Sequence, residues 1–355
     1  MNSTIHERPG VYSSYDASTA ISSGGAGKVI GVAAKAASGD TDQVTTLTSC
    51  AGGIAVFGKD KTGTHMAALL EMLYRNGASR VIAVRVPDTG TKAEYTAAFA
   101  LLEEQDEIGV VLCDSESDEV QKVLRDSVVS ASGARRERIA VVGSTDETVS
   151  ELIARAKAVN SERVVLVAGG GLDETGTAVP GILTAAAVAG VIASTVDPAL
   201  PLNGAVLKGL GGLSQRYSDS EIDLLVRGGV TPLDCVSGTV SILRGITTRT
   251  TTDDAADTTW RELSTILIVD NVIPQIRSAL RRKFARSKNT AQTRSAIRSQ
   301  VIVELENKRS AQIIDSFGEV QTAASASDAT VCEVTFSFTV AHGLNQIRLT
   351  AHITI

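Results

Sequence analysis

The sequence predicts an α/β fold: a central parallel-type sheet domain, then an α+β domain, with an extended arm at each end of the chain. Three observations support this prediction. Runs of Val, Ile and Leu alternate with helical patterns through the first half of the chain. A Pro- and Gly-rich stretch at 198–212 interrupts the alternation, and the chain ends in two strictly alternating strands. We therefore expect an N-terminal arm at 1–22, an α/β domain at 23–200, a C-terminal domain at 201–330, and C-terminal strands with a last arm at 331–355.

The first segment, 1–22, is polar and carries the isolated apolar residues Ile5, Val11, Tyr12 and Ile21. Arg8-Pro9-Gly10 opposes regular structure because Pro lacks an N–H donor and restricts the residue before it. Fully extended, the segment reaches roughly 70 Å at ~3.3 Å per residue. It is either a disordered tail or an arm that contacts another surface.

The next region alternates strands with helices, which indicates a parallel sheet covered on both faces. Its segment 175–196 has no charged residue, but Pro180 and many Ala, Gly and Thr residues favour a buried helix over a membrane span. The predicted strands are 28–34, 80–86, 108–114, 138–144 and 163–169, and the predicted helices are 63–77, 92–107, 117–130, 148–159 and one after Pro180.

Beyond residue 212, we expect a short helix at 218–228 with Ser220 as its cap and Glu221 in its first turn. A helical pattern over 258–284 contains Pro274, which predicts a kink or break near Asp270–Asn271. The remaining predictions are a strand at 236–243, an acidic Thr-rich loop at 247–257, a helix at 290–305, and alternating strands at 331–340 and 347–355.

Composition excludes some classes of function. The net charge of -6 argues against a protein that reads nucleic-acid phosphates with a basic face. The cysteines, Cys50, Cys113, Cys235 and Cys332, lack metal-ligand and redox spacing, and free thiols fit a reducing cytoplasm. The N-terminus lacks the pattern of a signal peptide.

Catalytic motifs are weak. The four histidines are 6, 65, 342 and 352, and there is no G-x-S-x-G motif. SGGAGKV at 23–29 departs from phosphate-loop spacing, and AGGG at 168–171 departs from dinucleotide spacing. The acidic loop residues Asp253, Asp254 and Asp257 lack further ligands at the spacing of a metal site. We predict no catalytic residue, cofactor or metal.

A cluster of cations ends the 258–284 helical pattern. One or two of them are explained by the helix dipole, and the whole cluster is a candidate contact with an acidic surface. Its members are Arg277, Arg281, Arg282, Lys283, Arg286 and Lys288.

Part of the sequence resembles the C-terminal domain of contractile tail sheath proteins, which coat the tube of phage tails, tailocins and related injection systems. The resemblance covers 201–305 and rests on PLNGAVLKGL, LSQRYSDSEIDLLVRGGVTPL, ILRGITTRT, WRELSTILIVDNVIPQIR and IRSQVIVEL. ERPGVY at 7–12 is similar to the family's N-terminal opening, and the α/β layout is similar to its central domain, which is subtilisin-like in shape but non-catalytic.

The resemblance implies a structural protein, not an enzyme, that uses no cofactor. Sheath subunits polymerise as a six-fold helical mesh around an inner tube protein, contact baseplate and tail terminator proteins, and contract. They assemble in the bacterial cytoplasm and end in the tail of a phage or phage-tail-like particle; contact with nucleic acid and membrane insertion are not implied. The arms join neighbouring subunits by strand addition. This assigns Ile347, Leu349, Ile353 and Ile355 to a donor strand, Ile5, Val11, Tyr12 and Ile21 to the partner arm, and Arg281, Arg282, Lys283, Arg286 and Lys288 to candidate tube contacts.

Two other hypotheses stay open. A nucleotide-dependent α/β enzyme would bind its ligand at the carboxyl ends of the strands. A monomeric binding module with disordered tails would be unchanged when 1–20 or 345–355 are removed.

Overall fold

A computed structural model describes residues 27–345. These residues form two compact units. The larger unit comprises 27–196, Leu200–Leu263 and 343–345, and the smaller comprises Asp197–Ala199 and Ser264–His342. Each unit is described by itself below.

The larger unit is built on a six-stranded sheet with strand order β2-β3-β1-β4-β5-β6. Five strands are parallel, and β2 pairs antiparallel with β3 at one edge. The parallel strands are runs of Val, Ile, Leu and Ala that are buried almost throughout, as expected for a sheet covered on both faces. The bounds are β1 Val29–Lys35, β2 Val44–Leu47, β3 Val81–Val86, β4 Ile108–Cys113, β5 Ile139–Val142 and β6 Val164–Leu166.

Helices accompany this sheet as the sequence predicts, with one addition before the first predicted helix. They are α1 Cys50–Phe57, α2 Met66–Arg75, α3 Lys92–Glu103, α4 Asp118–Gly133, α5 Val149–Val159 and α6 Gly181–Ser194. Helix α2 packs with α6, and α3 packs with α4. Strand β2 and helix α1 were not predicted, because TSCAGGIAVF has neither a clear helical period nor a charged first turn.

Helix α6 is the uncharged segment after Pro180, and it is buried along nearly its whole length. Its small residues let other backbones approach closely: a Cβ placed on Gly190 would lie 3.0 Å from the carbonyl oxygen of Leu73. The prediction of a buried Ala-rich helix is therefore confirmed. Among residues 27–345, no helix combines the length and apolar content that crossing a membrane requires.

The larger unit continues past residue 200. Thr231 donates its backbone N–H to Leu166 O at 2.8 Å, and Thr248 donates to Val164 O at 2.9 Å, so both segments lie beside β6. These bonds explain why the compact unit ends at Leu263, beyond the boundary that the sequence places after residue 200. The prediction that independently folding domains meet after residue 200 therefore stays a prediction.

Short elements complete the larger unit. The predicted strand at 236–243 is half of a hairpin, because Ser237 and Gly238 both take positive φ and turn the chain. The Thr-rich loop also forms a small hairpin, with Asp253 and Asp254 at its turn. The elements are β7 Gly171–Leu172, β8 Ala178–Val179, β9 Gly212–Leu213, α7 Asp219–Arg227, β10 Leu233–Val236, β11 Thr239–Ile242, β12 Thr251–Thr252 and β13 Ala255–Ala256.

Helix α7 corrects one prediction. Its cap is Ser218, which forms a capping box with Glu221, and Ser220 lies inside the first turn. The sequence SDSE offers a serine at both positions, but only Ser218 stands three residues before the glutamate, as the capping box requires.

The smaller unit contains most of helix α8, Leu263–Phe284, and helix α9, Ala291–Ser310. The predicted start of α8 at Thr258 is wrong. Residues 258–261 form a turn instead, and the chain then pairs with residues 245–247, where Thr247 donates its N–H to Arg261 O and its hydroxyl to Trp260 O. The predicted break is also wrong, since α8 continues through Pro274 with buried residues on both sides of it.

Two small antiparallel ladders follow α9. Their strands are β14 Ile314–Phe317, β15 Gln321–Ala324, β16 Cys332–Thr335 and β17 Phe338–Val340. Strand β14 pairs with β17, and β15 pairs with β16. The single strand predicted at 331–340 is thus two strands that change partner at Phe336–Ser337.

Candidate assembly surfaces

The paired strands of the smaller unit carry the alternation read from the sequence. Cys332, Val334, Phe336, Phe338 and Val340 are half-buried, and nearly every residue between them is exposed. The rings of Phe336 and Phe338 stack with centroids 6.0 Å apart. Helix α9 contacts β14 and β15. One apolar face is therefore set against the unit, and the other faces solvent.

Each of these four strands has one strand partner within residues 27–345. One backbone edge of each strand is thus left without a strand partner there. Such an edge presents a row of N–H and C=O groups that can pair with an additional strand.

The residues predicted to supply and receive exchanged strands lie outside the described part of the chain. They are Ile5, Val11, Tyr12, Ile21, Ile347, Leu349, Ile353 and Ile355. Their assignment to intersubunit arms stays a prediction.

Five of the six cations in the basic cluster at the end of α8 are exposed, and Arg277 is half-buried. Lys283 donates to Gln300 Oε1 at 2.8 Å and lies 5.8 Å from the centroid of the Phe284 ring. The other four predicted cations are exposed and have no acidic partner within residues 27–345: Arg281, Arg282, Arg286 and Lys288. A concentration of unpaired cations on a chain with net charge -6 suits an acidic surface.

The carboxyl end of the sheet holds a buried cluster that the sequence did not reveal. Asp114, directly after β4, accepts from the Tyr95 hydroxyl at 2.5 Å and from the Lys35 backbone N–H at 3.1 Å. His65 places Nδ1 3.4 Å from the same carboxylate. Burial, followed by the Asp114 charge, raises the pKa of Tyr95 far above its usual range. The partners lie up to 79 residues apart in sequence, so no local motif marks them.

This His–Asp contact resembles the base and orienting residue of a hydrolase. However, His65 Nε2 has no hydrogen-bond partner in the described structure, so no hydroxyl or thiol is placed as a nucleophile there. Within the described structure, the cluster orients a histidine but does not form a catalytic triad.

Glu116 closes the same edge of the sheet. Its carboxylate lies near the backbone N–H groups of Gly181 and Ile182, at the start of α6, but its Oε1 atom has no hydrogen-bond partner in the described structure. Helix α6 begins after Pro180, which has no capping side chain, and a carboxylate near this end is favoured by the helix dipole. Burial raises the pKa of Glu116, and the nearby N–H groups of Ile182 and Gly181 act in the opposite direction.

An open groove of about 470 Å³ lies between α5 and α7. Two of its polar groups are already used: Thr148 and Glu221 belong to the capping boxes of these helices. What it offers to a partner is mainly the apolar surface of Val149, Ile153 and Leu224.

Two family models match the chain. Residues 88–248 match the phage tail sheath protein central domain, and residues 255–354 match the phage tail sheath C-terminal domain. Together the matched ranges span most of the chain. A curated relative, the tail sheath protein of Mycobacterium phage Bxz1, is 27% identical over 165 residues, which are 42% of this chain and 28% of that protein. The match therefore spans less than a third of the relative's length.

Solved structures share the fold. A sheath tail protein from Desulfitobacterium hafniense has a TM-score of 0.69 at 13% identity, covering 94% of this chain and 100% of that one. The contracted helical sheath of the anti-feeding prophage gives 0.72 at 13% identity, covering 98% and 99%. The contracted PVC sheath of an extracellular contractile injection system gives 0.70 at 16% identity, covering 99% of both chains. At these identities the likeness establishes the fold alone.

Proposed function

Because the chain belongs to the contractile tail sheath protein family, we propose that it is a structural subunit that polymerises around an inner tube and contracts to drive the tube through a target envelope. The family match over both domains is the observation that supports this most strongly. The fold shared with sheaths of the anti-feeding prophage and PVC systems agrees with it.

The polymer is a six-fold helical assembly of this chain, and its subunits are linked by strand addition. Residues 347–355 supply the donor strand and residues 5–21 the partner arm. Open strand edges in the smaller unit support this part of the proposal, because they offer main-chain donors and acceptors at a defined register. The alternating apolar residues of the two arms pack against the sheet to which the arms add.

The inner tube contacts the basic end of α8. Its exposed, unpaired cations support this assignment, and an acidic surface on the tube is the matching partner. The baseplate and the tail terminator contact the two ends of the polymer. Assembly takes place in the bacterial cytoplasm, and the finished sheath belongs to a phage or phage-tail-like particle.

The proposed role requires no catalytic step. At the carboxyl end of the sheet, Asp114 links the end of β4 to α3 through the Tyr95 hydroxyl and to the end of β1 through the Lys35 backbone N–H. These contacts give the cluster a structural role in the larger unit. The competing nucleotide-dependent enzyme would need a ligand at this edge, which a thermal-shift screen with nucleotides tests directly.

Negative-stain electron microscopy tests the proposal. The purified full chain, mixed with its cognate tube, is expected to form hollow striated cylinders of uniform diameter. Deletion of 1–20 or of 346–355 is expected to abolish them while leaving a folded subunit by circular dichroism. A wild-type chain that stays monomeric with the tube at high concentration would refute the proposal.

A further inference from the structure

The segment PLNG at 201–204 forms a fixed turn in the larger unit. Ala205 donates its N–H to Leu202 O at 3.0 Å, and Gly204 donates to Ile242 O at 2.8 Å on β11. Leu202 is buried, whereas Asn203 is half-buried. Gly204 takes φ +75°, a conformation that favours glycine. Two backbone hydrogen bonds therefore define the turn that carries the Asn203 amide.

The chain comes back to this turn just before its last residues. A Cβ on Gly343 would lie 2.8 Å from the Cβ of Pro201, so the backbone of Gly343 rests directly on the proline ring. Two residues later, the Asn203 amide donates to Asn345 Oδ1 at 2.6 Å. Residues 343–345 belong to the larger unit through these contacts, although β17 ends at Val340 in the smaller one.

This contact is small and exposed. A single neutral hydrogen bond between surface amides contributes little to stability, and the Gly343–Pro201 packing adds a modest apolar contact. Contacts of this strength favour one position of residues 343–345 but can be broken. Leu344 lies between the two contacts and is 71% exposed, so its side chain adds little apolar burial that would oppose their breaking.

We propose that the Pro201–Gly204 turn is a latch for the base of the C-terminal segment. When latched, residues 343–345 fix the position and direction of the backbone that leads into residue 346. When released, these three residues add to the segment that connects the subunit to its donor strand, and they lengthen it by about 10 Å at ~3.3 Å per residue. This inference rests on the proposed function, because the latch positions the strand that links one subunit to the next. The connection between subunits is then shorter in the latched state and longer in the released state.

Limited trypsin digestion of the unpolymerised full chain tests the latch. Cleavage after Arg348 releases the peptide 349–355, which mass spectrometry quantifies. Asn203→Ala, Asn345→Ala and Gly343→Val are each expected to speed this cleavage several-fold. The double variant N203A/N345A should be no faster than either single amide variant, because both remove the same hydrogen bond.

Asn307→Ala is the matched control: Asn307 is an exposed asparagine on α9 whose side chain has no hydrogen-bond partner in the described structure. It is expected to be cleaved at the wild-type rate. Equal rates for the latch variants and the wild type would overturn the latch. Failure of the wild type to polymerise with its tube would instead overturn the proposed function, so the two results are distinguishable.

Discussion

At the scale of single residues, the close approach of Gly143 and Gly181 fixes how α6 begins. A Cβ on Gly181 would lie 1.9 Å from Ser144 O, and one on Gly143 would lie 2.3 Å from the Gly181 carbonyl carbon. The loop after β5 and the first turn of α6 thus touch backbone to backbone. Neither glycine has positive φ. Glycine is therefore needed at both positions because a side chain would not fit, and not because of the backbone conformation.

Gly181→Ala is therefore expected to lower the free energy of unfolding by about 3 kcal/mol or more, because backbone atoms must move to admit the methyl group. Gly133→Ala is the control. Gly133 is the last residue of α4, and a Cβ there meets no atom within 4 Å. It should be neutral or stabilise by up to about 1 kcal/mol. Urea unfolding of the two variants provides the comparison, and equal stabilities would contradict the role given to Gly181.

Residue contacts of this kind mark the limit of what the sequence reveals. The glycine before Ile182 reads as an ordinary helix start, and Asp114 reads as the end of a strand. Their roles depend on partners from other elements, such as Ser144 and Lys35, that only the folded sheet brings together. No period or spacing in the chain encodes those distances.

At the scale of elements, periodicity predicted the sheet well, because continuous β-branched runs have few alternative structures. Errors arose where a local pattern competes with pairing to a distant part of the chain. The pattern 258–284 extends helical spacing back to Trp260, but a turn at 258–261 and backbone pairing with 245–247 keep these residues out of the helix. Similarly, 331–340 alternates without interruption, although two different partner strands divide it. Pairing partners are long-range information.

Three helices of the larger unit begin with a capping box, and these boxes give the unit a pH dependence. Hydrogen bonds from Thr89 and Thr91 lower the pKa of Glu94, those from Thr148 lower that of Glu151, and those from Ser218 lower that of Glu221. A lowered folded-state pKa stabilises the fold above the unfolded value of about 4.3, and this contribution is lost as the pH falls through the folded value.

The triple variant E94Q/E151Q/E221Q is expected to keep nearly its full stability at pH 7, because glutamine also serves in a capping box. Between about pH 4.5 and pH 3 its midpoint temperature should fall less steeply than that of the wild type. Glu104→Gln and Glu333→Gln, at exposed carboxylates that accept no hydrogen bond in the described structure, are the control and should leave the slope unchanged. If the midpoint temperatures of the wild type, the triple variant and the control fall equally steeply with pH, the capping boxes are not the source of the pH dependence.

At the scale of the whole molecule, the features of the two proposed assembly surfaces could be predicted from the sequence to different degrees. The basic cluster could be read directly, because six cations within twelve residues of an acidic chain are a local signal. The open strand edges of β14–β17 could not, since β14 and β15 have too few apolar residues to be recognised as strands. Their pairing depends on the support of α9, a tertiary contact.

The basic cluster leads to a prediction about the assembled sheath. If Arg281, Arg282, Arg286 and Lys288 contact an acidic tube, replacing all four by Gln should weaken binding to that tube and leave strand exchange between subunits intact. Exposed ion pairs contribute about 0.2–1 kcal/mol each, so four of them amount to roughly a tenfold loss of affinity per subunit or more. The loss should shrink as salt rises, because ions screen exposed charges beyond about 8 Å at 0.15 M.

The matched control removes the same number of positive charges at Arg75, Lys92, Lys122 and Arg227, each of which is paired with an acidic neighbour. Co-sedimentation with cognate tubes at 50, 150 and 500 mM salt, roughly spanning weak to strong screening, separates the two variants. A specific contact predicts weakened, less salt-sensitive binding for the α8 variant alone. Equal weakening of both variants would mean that the tube responds to net charge, and the tube-facing assignment of α8 would then be withdrawn.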